Sequence, residues 1–370
     1  MRCNALGADP RDWIARRRLR GLRLRGACLP TPGDVVGYLT AMQAQEHTYA
    51  RWSVAQRTAG SPSATVVDAA FAEGRILRTH VLRPTWHYVA PKDLWCLVRL
   101  SGPMVDAANR PRYRDLGLNA QTLNRSNDII AHAVAGPVRT RRELAAVLEE
   151  HGISSANQRL AHMLMHAELT AIVCNGPMRG TQHTYAAFDE RVPPDQGLEG
   201  DEALAELAWR YFSTRGPATL NDFSWWSGIN ASDARRGLRA VQSRLSQLDI
   251  DGGTYWFTDE SAPRLKQRVD LIQCYDELII SYRQTRDVLR TQSATFPVPR
   301  HLDGFQHVVL LGGRLLGHWR VRADPAGTRI ETRVSRQLDD SEQIALNSAI
   351  DRYRRFIEPL SQSVVFMSLR

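Results

Sequence analysis

Between residues 201 and 260 the chain carries a pattern that few folds satisfy. Apolar residues over 204–212 recur at helical spacing and stop before Gly216-Pro217. Thr219 and Asp222 have the spacing of a capping box for a short helix through Trp226, and Gly228 closes it. Ser232 is the expected cap of a third helix, in which Ala234, Leu238, Val241 and Leu245 share one face. Arg236, Arg239 and Ser243 face away, with Arg235 at the edge. Residues 248–250 and 255–257 then read as two strands about the turn Asp251-Gly252-Gly253. A helix, a helix-turn-helix and a hairpin in that order make a winged helix.

The same order occurs twice more. Over 131–200, Thr140 and Glu143 form a capping box, Leu144, Val147 and Leu148 make the buried stripe, and His151-Gly152 ends the helix. A second helix spans 156–169, and residues 171–174 and 184–188 supply a wing about Asn175-Gly176-Pro177. The stretch 189–200, with Pro193-Pro194 and Gly197, reads as a linker. Over 1–130 the spacing predicts helices at 12–22, 34–42 (capped by Asp34), 49–57 and 66–73. Two strands follow, 75–81 and 85–89, about Leu82-Arg83-Pro84. Beyond residue 263 apolar residues alternate at Val269, Leu271, Ile279 and Tyr282. A Gly312-Gly313 hairpin joins 308–311 to 315–321, and a helix at 341–357 precedes a strand at 363–367. The expected architecture is α+β: three tandem winged-helix modules (1–130, 131–200, 201–262) and a C-terminal β-rich module, 263–370.

Such a chain has ample core, with 43% hydrophobic residues among 370, and no need of disulfides. Its five cysteines are scattered and never form C-x-x-C, so neither a disulfide framework nor a zinc or iron–sulfur site is indicated. The N-terminal Arg16, Arg17, Arg18 and Arg20 precede no apolar run of signal-peptide length, and no stretch is long and apolar enough to span a bilayer. The expected setting is the cytoplasm, without a membrane partner. Arg and Lys total 48 against 39 acidic residues, and only Lys92 and Lys266 are lysine. Arg suits bidentate phosphate and base-edge contacts better than Lys, with a GC-rich genome as the alternative source of the bias; the net charge of +9 points toward a polyanion in either case.

Gln43-Ala44-Gln45 lies between two amphipathic stretches. In an extended segment side chains alternate, so both amides face one side, where a helix would splay them. Arg235, Arg236 and Arg239 are candidate phosphate contacts, with a solvated helix face as the alternative. Arg83, Thr85 and His87 alternate on the predicted hairpin, where they contact phosphate or pin the hairpin to the helices. His47 and Glu46 are placed to polarise a water, or simply occupy a surface loop. Asp276 and Glu277, near Arg283 and Arg286, read as an interdomain ion-pair network or a supporting carboxylate pair. His162 and His166 are one helical turn apart, but Met163 replaces the glutamate of a zinc protease, so no metal is assigned. Trp225-Trp226 and Trp319 are read as core. Neither G-x-S-x-G, H-E-x-x-H nor a P-loop occurs.

The sequence resembles the AlkZ-like winged-helix DNA glycosylases. The likeness lies in YLTAMQAQ from Tyr38, RTHVLRPTWHYVA from Arg78, DFSWWSG from Asp222, DELIISYR from Asp276 and GGRLLGHWR from Gly312, in family order through nearly the whole chain. Pro84 departs from the small residue, commonly glycine, that the family carries there; both glutamines are kept, where one branch has Q-x-D. The resemblance implies tandem winged helices around a DNA channel and no cofactor or metal. It further implies excision of bulky alkylated guanines, including crosslinks, from double-stranded DNA, with a role in self-protection against DNA-alkylating natural products. A 7-alkylguanine is already cationic, so its glycosidic bond needs no general acid. Two amide dipoles at Gln43 and Gln45 suffice to stabilise the sugar's developing charge and hold a water, unless they serve as loop anchors. Three covalently linked modules suggest a monomer. The competing reading is a non-catalytic winged-helix regulator or drug-sequestering protein.

Overall fold

The computed structural model describes residues 9–195, 197–259, 268–289, 307–324 and 327–357. The fold is α+β, with helices and, among the described residues, four small antiparallel sheets.

The third winged-helix unit has helices at Gly200–Arg215, Leu220–Ser227 and Ala231–Val241 and a hairpin of Ser246–Ile250 with Gly253–Phe257. Thr219 and Asp222 form the capping box. Gly228 ends the second helix at φ +71°, and a Cβ there would meet the Leu82 carbonyl at 2.0 Å. That glycine therefore serves both the helix stop and the close approach of a hairpin far away in sequence. The third helix is capped by Asn230, which accepts from Asp233 N at 2.9 Å, rather than by Ser232, because the helix starts two residues earlier than its apolar stripe suggests.

In the second unit the Thr140–Glu143 capping box opens the Arg141–Glu150 helix, followed by Arg159–Leu169. Its sheet runs Arg139–Thr140, Thr184–Ala187, Val173–Asn175 in spatial order. A short helix, Phe188–Arg191, occupies the start of the expected linker. Two long helices escaped the sequence reading: Pro91–Asp115 and Ala120–Val134. Pro103 and Pro111 lie inside the first, against the usual rule for helix interiors. Gly102 lets that helix pass the Leu169 carbonyl, which a Cβ would meet at 2.8 Å.

In the first unit the helix expected at 34–42 runs instead over Pro32–Leu39. Thr31 is its cap and Asp34 the reciprocal member of the box. Thr40 breaks it at φ +66°, and Ala41–Gln43 is a strand. Trp86–Val89 is the centre of this sheet, with Ala41–Gln43 on one side and Leu77–His80 on the other. Helices at Pro10–Gly21, His47–Ala55 and Ala64–Ala72 complete the unit.

The C-terminal sheet has the order Gly327–Val334, Arg314–Asp324, His307–Leu311, Val269–Ile272, with the Gly312-Gly313 hairpin at its centre. The edge strand Gly327–Val334 was not foreseen. The alternation expected through Ile279 and Tyr282 is a short helix, Glu277–Ile280, capped by Asp276. The Asp340–Ile357 helix packs on this sheet, and the strand expected at 363–367 lies outside the described residues.

One continuous core runs through the first, third and C-terminal units: Trp52 donates to the Leu271 carbonyl at 2.8 Å, and Tyr211 stacks near Trp226 and Phe223. A second core serves residues 113–185. Part of the Arg excess is internal. Arg18 donates to the carbonyls of Pro217 at 2.9 Å and Thr285 at 3.0 Å, and Arg57 and Arg215 are fully buried ion-pair partners. The net charge stands, but these cations face no solvent.

Candidate active site and nucleic-acid interface

The three-stranded sheet of the first unit aligns Gln43, His87 and Thr79 in one cross-strand row. Residues opposite each other in such a row have Cβ atoms about 4.5–5.5 Å apart, so the three side chains share one face. Gln43 is buried, and Gln45, just beyond the strand, is exposed. The main-chain pairing continues past the strand end, since Ala44 N donates to the Trp86 carbonyl at 2.7 Å.

Two groups hold Gln43. Its amide oxygen accepts from Arg83 Nη2 at 3.0 Å, and its backbone N–H donates to Glu277 Oε1 at 2.9 Å. Arg has only donors, so the oxygen must face it and the Gln43 NH2 is turned elsewhere. The other oxygen of Glu277 accepts from Arg215 Nη2 at 2.6 Å, Ser281 Oγ at 2.7 Å and Trp226 Nε1 at 2.9 Å. Asp276 accepts both guanidinium nitrogens of Arg57, at 2.8 and 2.7 Å. Burial alone would raise the Asp276 carboxyl, but Arg57 outweighs it and holds it below the usual carboxylate range. The acidic pair is thus tied to Arg57 and Arg215, not to Arg283 and Arg286, and Glu277 reaches the glutamine through its backbone.

His87, expected as a DNA contact, is fully buried and cannot reach a phosphate from this position. Burial holds its pKa well below the usual histidine range, so the ring is neutral. Its Nδ1 lies 2.9 Å from the Thr85 carbonyl, which only accepts, so Nδ1 carries the proton and Nε2 is an acceptor. That Nε2, Arg83 Nε, Thr85 Oγ1 and Thr79 Oγ1 are all buried without a hydrogen-bond partner among the described residues. Unpartnered buried polar atoms on His87 and Thr79, in the same cross-strand row as Gln43, and on Arg83, which holds Gln43, are what a polar site for water or ligand presents. Arg83 and Thr85 are half-buried beside these polar atoms.

His47 is held elsewhere: its Nδ1 is 2.6 Å from the Tyr88 hydroxyl, and its ring packs on His183 at 4.9 Å. Burial and the neighbouring cations push its pKa down to about 2, leaving a neutral ring that packs rather than titrates near pH 7. Glu46 is half-buried, and burial raises its pKa.

Trp226 is core, as expected, but its neighbour Trp225 is not. Trp225 is 37% exposed, with the Arg83 guanidinium 5.7 Å and the Arg283 guanidinium 5.2 Å from its ring. The available signal was geometric: adjacent helical residues are about 100° apart, so two tryptophans in succession cannot both face one core. Arg235, Arg236 and Arg239 all lie on the exposed face of their helix. Arg236 is paired with Asp201 and Asp233, whereas Arg235 and Arg239 make no ion pair among the described residues. His166 is 3.9 Å from Asp106, and no group of three His, Cys, Asp or Glu able to hold a metal occurs among the described residues.

A family model described as "DNA glycosylase AlkZ-like" matches residues 36–356. The chain belongs to the AlkZ-like DNA glycosylase family. Membership makes it a DNA glycosylase, an enzyme of DNA repair. The chain is similar, at 24% identity over 307 residues, to the interstrand DNA cross-link repair glycosylase of Streptomyces sahachiroi; the match covers 79% of this chain and 82% of the relative. Its fold matches the solved structure of Streptomyces sahachiroi DNA glycosylase AlkZ with a TM-score of 0.70 at 20% identity, over 94% of this chain and 96% of the other. The likeness in fold thus extends over nearly the whole chain.

Proposed function

We propose that this AlkZ-like glycosylase hydrolyses the N-glycosidic bond of bulky cationic N7-alkylguanine adducts or crosslinks in double-stranded DNA. The observation that carries this reading is Gln43, held at both ends by Arg83 and Glu277 at the edge of a row of unpartnered polar atoms, with the exposed Gln45 two residues on. Such a site offers fixed neutral dipoles and no general acid. That suits a leaving group that already bears a positive charge and needs none. Gln43 donates through its free NH2 to a water oxygen, and the Gln45 amide oxygen accepts a hydrogen bond from the same water and faces the sugar. The bond from the anomeric carbon to the guanine nitrogen breaks, its electron pair neutralising the base. The water oxygen bonds to that carbon, its proton leaves to solvent, and an abasic site remains.

The DNA lies across the exposed Arg235 and Arg239 face and Trp225, with Arg83 supporting the site from within. The protein works as a monomer on the nucleoid, without a cofactor, in repair or in self-resistance to a DNA-alkylating natural product. Among the described residues no helix is long and apolar enough to cross a membrane. The test is incubation of duplexes carrying a 7-alkylguanine or a crosslink, followed by heating in alkali to cleave abasic sites. Strand cleavage for cationic adducts and none for neutral ones is expected. Intact strands for every cationic adduct would leave a non-catalytic regulator or drug-sequestering protein as the better reading.

A further inference from the structure

On the face of the first sheet opposite Gln43, residues Arg78, Trp86 and Tyr88 point the other way, by the alternation that places Thr79, His87 and Gln43 together. There a cavity of about 560 Å³ opens between this sheet and the second winged-helix unit. Trp86, Leu160, Ala145 and Tyr185 give it apolar and aromatic walls, Arg141 and Arg142 stand at its edge, and no carboxylate lines it. The volume falls within the roughly 300–1,000 Å³ of small-molecule sites, and apolar walls with a few fixed polar groups are their usual make-up.

The lining states the chemistry of an occupant. Arg78 lies 4.3 Å from the centre of the Trp86 ring, making a flat platform against which another flat ring can stack. Arg141 and Arg142 are exposed and begin the ten-residue Arg141–Glu150 helix, whose N-terminal dipole adds to their charge. An aromatic plane carrying an anion about one side-chain length away satisfies both. Arg78 links the cavity wall to the backbone of the candidate active site: its Nε donates to the Ala44 carbonyl at 3.0 Å and its Nη2 to that of Gln45 at 3.4 Å. We propose that this cavity binds a single nucleotide that has left the base stack, its base against Trp86 and its phosphate on Arg141 and Arg142. Filling it bears on the backbone of Gln45 through Arg78. The proposal adds a second site to the glycosylase reading.

Titration calorimetry on the full chain, with 2′-deoxyadenosine 5′-monophosphate, deoxyadenosine and inorganic phosphate as separate ligands, tests this without any excision step. The monophosphate is expected to bind one to one and at least about tenfold more tightly than either fragment, as joint use of two subsites requires. The exposed pair Arg141→Glu, Arg142→Glu and the cavity-filling Ala145→Phe should each weaken it by about tenfold or more, with thermal melts confirming that both variants fold. Monophosphate binding no tighter than phosphate, or unchanged in both folded variants, would overturn the proposal. Base excision is not read here, so failure of this site and failure of the glycosylase reading show up in different experiments.

Discussion

Arg83 Nη2 donates to the side-chain oxygen of Gln43 at 3.0 Å, so the residue at the turn of one hairpin sets the orientation of an amide on the neighbouring strand. Gln43→Ala and Gln45→Ala should each abolish most excision while leaving DNA affinity close to normal, measured by single-turnover cleavage beside fluorescence anisotropy. Arg83→Ala should lower the single-turnover rate by about 10²-fold, since losing a positioning contact misplaces the reacting group. Loss of affinity and rate in equal measure would mean that these residues build the binding surface instead.

Glu277 accepts from Arg215, Trp226, Ser281 and the Gln43 backbone while fully buried. Glu277→Ala leaves Arg215 uncompensated inside the core, a change that costs about 3–5 kcal/mol. Urea unfolding should show the loss as a lower midpoint, well beyond the effect of an exposed Glu149→Ala.

Gly228 holds φ +71° against the Leu82 carbonyl. Gly228→Ala introduces both backbone strain and a steric clash, with strain alone of about 1–3 kcal/mol. Because the clash falls on the residue next to Arg83, excision should fall more steeply than stability, a difference visible when activity and melting temperature are compared at 25 °C.

Acid should destabilise the protein through its buried histidines. Burial lowers His47 to about 2 and His307 to about 4 from an ordinary 6.5. Below pH 6.5 the unfolded chain binds protons that the folded one refuses, so the unfolded state gains and stability falls as pH drops. Each such histidine contributes a slope of up to about 1.4 kcal/mol per pH unit, continuing toward the folded pKa. Urea midpoints from pH 7.5 to 5 should decline, and His307→Phe should flatten the decline; a flat wild-type profile would refute it.

The exposed Arg235 and Arg239 make no ion pair among the described residues, whereas Arg236 is paired with Asp201 and Asp233. Replacing Arg235 or Arg239 by Ala should reduce the salt dependence of DNA binding by about one unit of slope each, with a smaller change for Arg236. Trp225→Ala should weaken DNA binding by about 1–3 kcal/mol if its ring stacks on a base, with little change in melting temperature.

Local order was legible without coordinates. The boxes at Thr140–Glu143 and Thr219–Asp222, the stop at Gly228 and the Gly312-Gly313 hairpin are each written within a few residues, where caps and turn geometry act directly. The extended Gln43 segment follows from the same kind of reasoning, although the helix before it ends three residues earlier than its spacing predicts. In the Pro91–Asp115 helix the internal Pro103 and Pro111 mask the helical signal; the Ala120–Val134 helix carries no proline, and its Asn119 cap and apolar face were legible in the sequence. Tertiary packing alone decided that Glu277, 234 residues away, tethers the Gln43 backbone, which of the two adjacent tryptophans faces outward, and that His87 is buried. Those outcomes depend on which surfaces meet once the helices pack, and a residue's own neighbours in sequence carry no record of its neighbours in space.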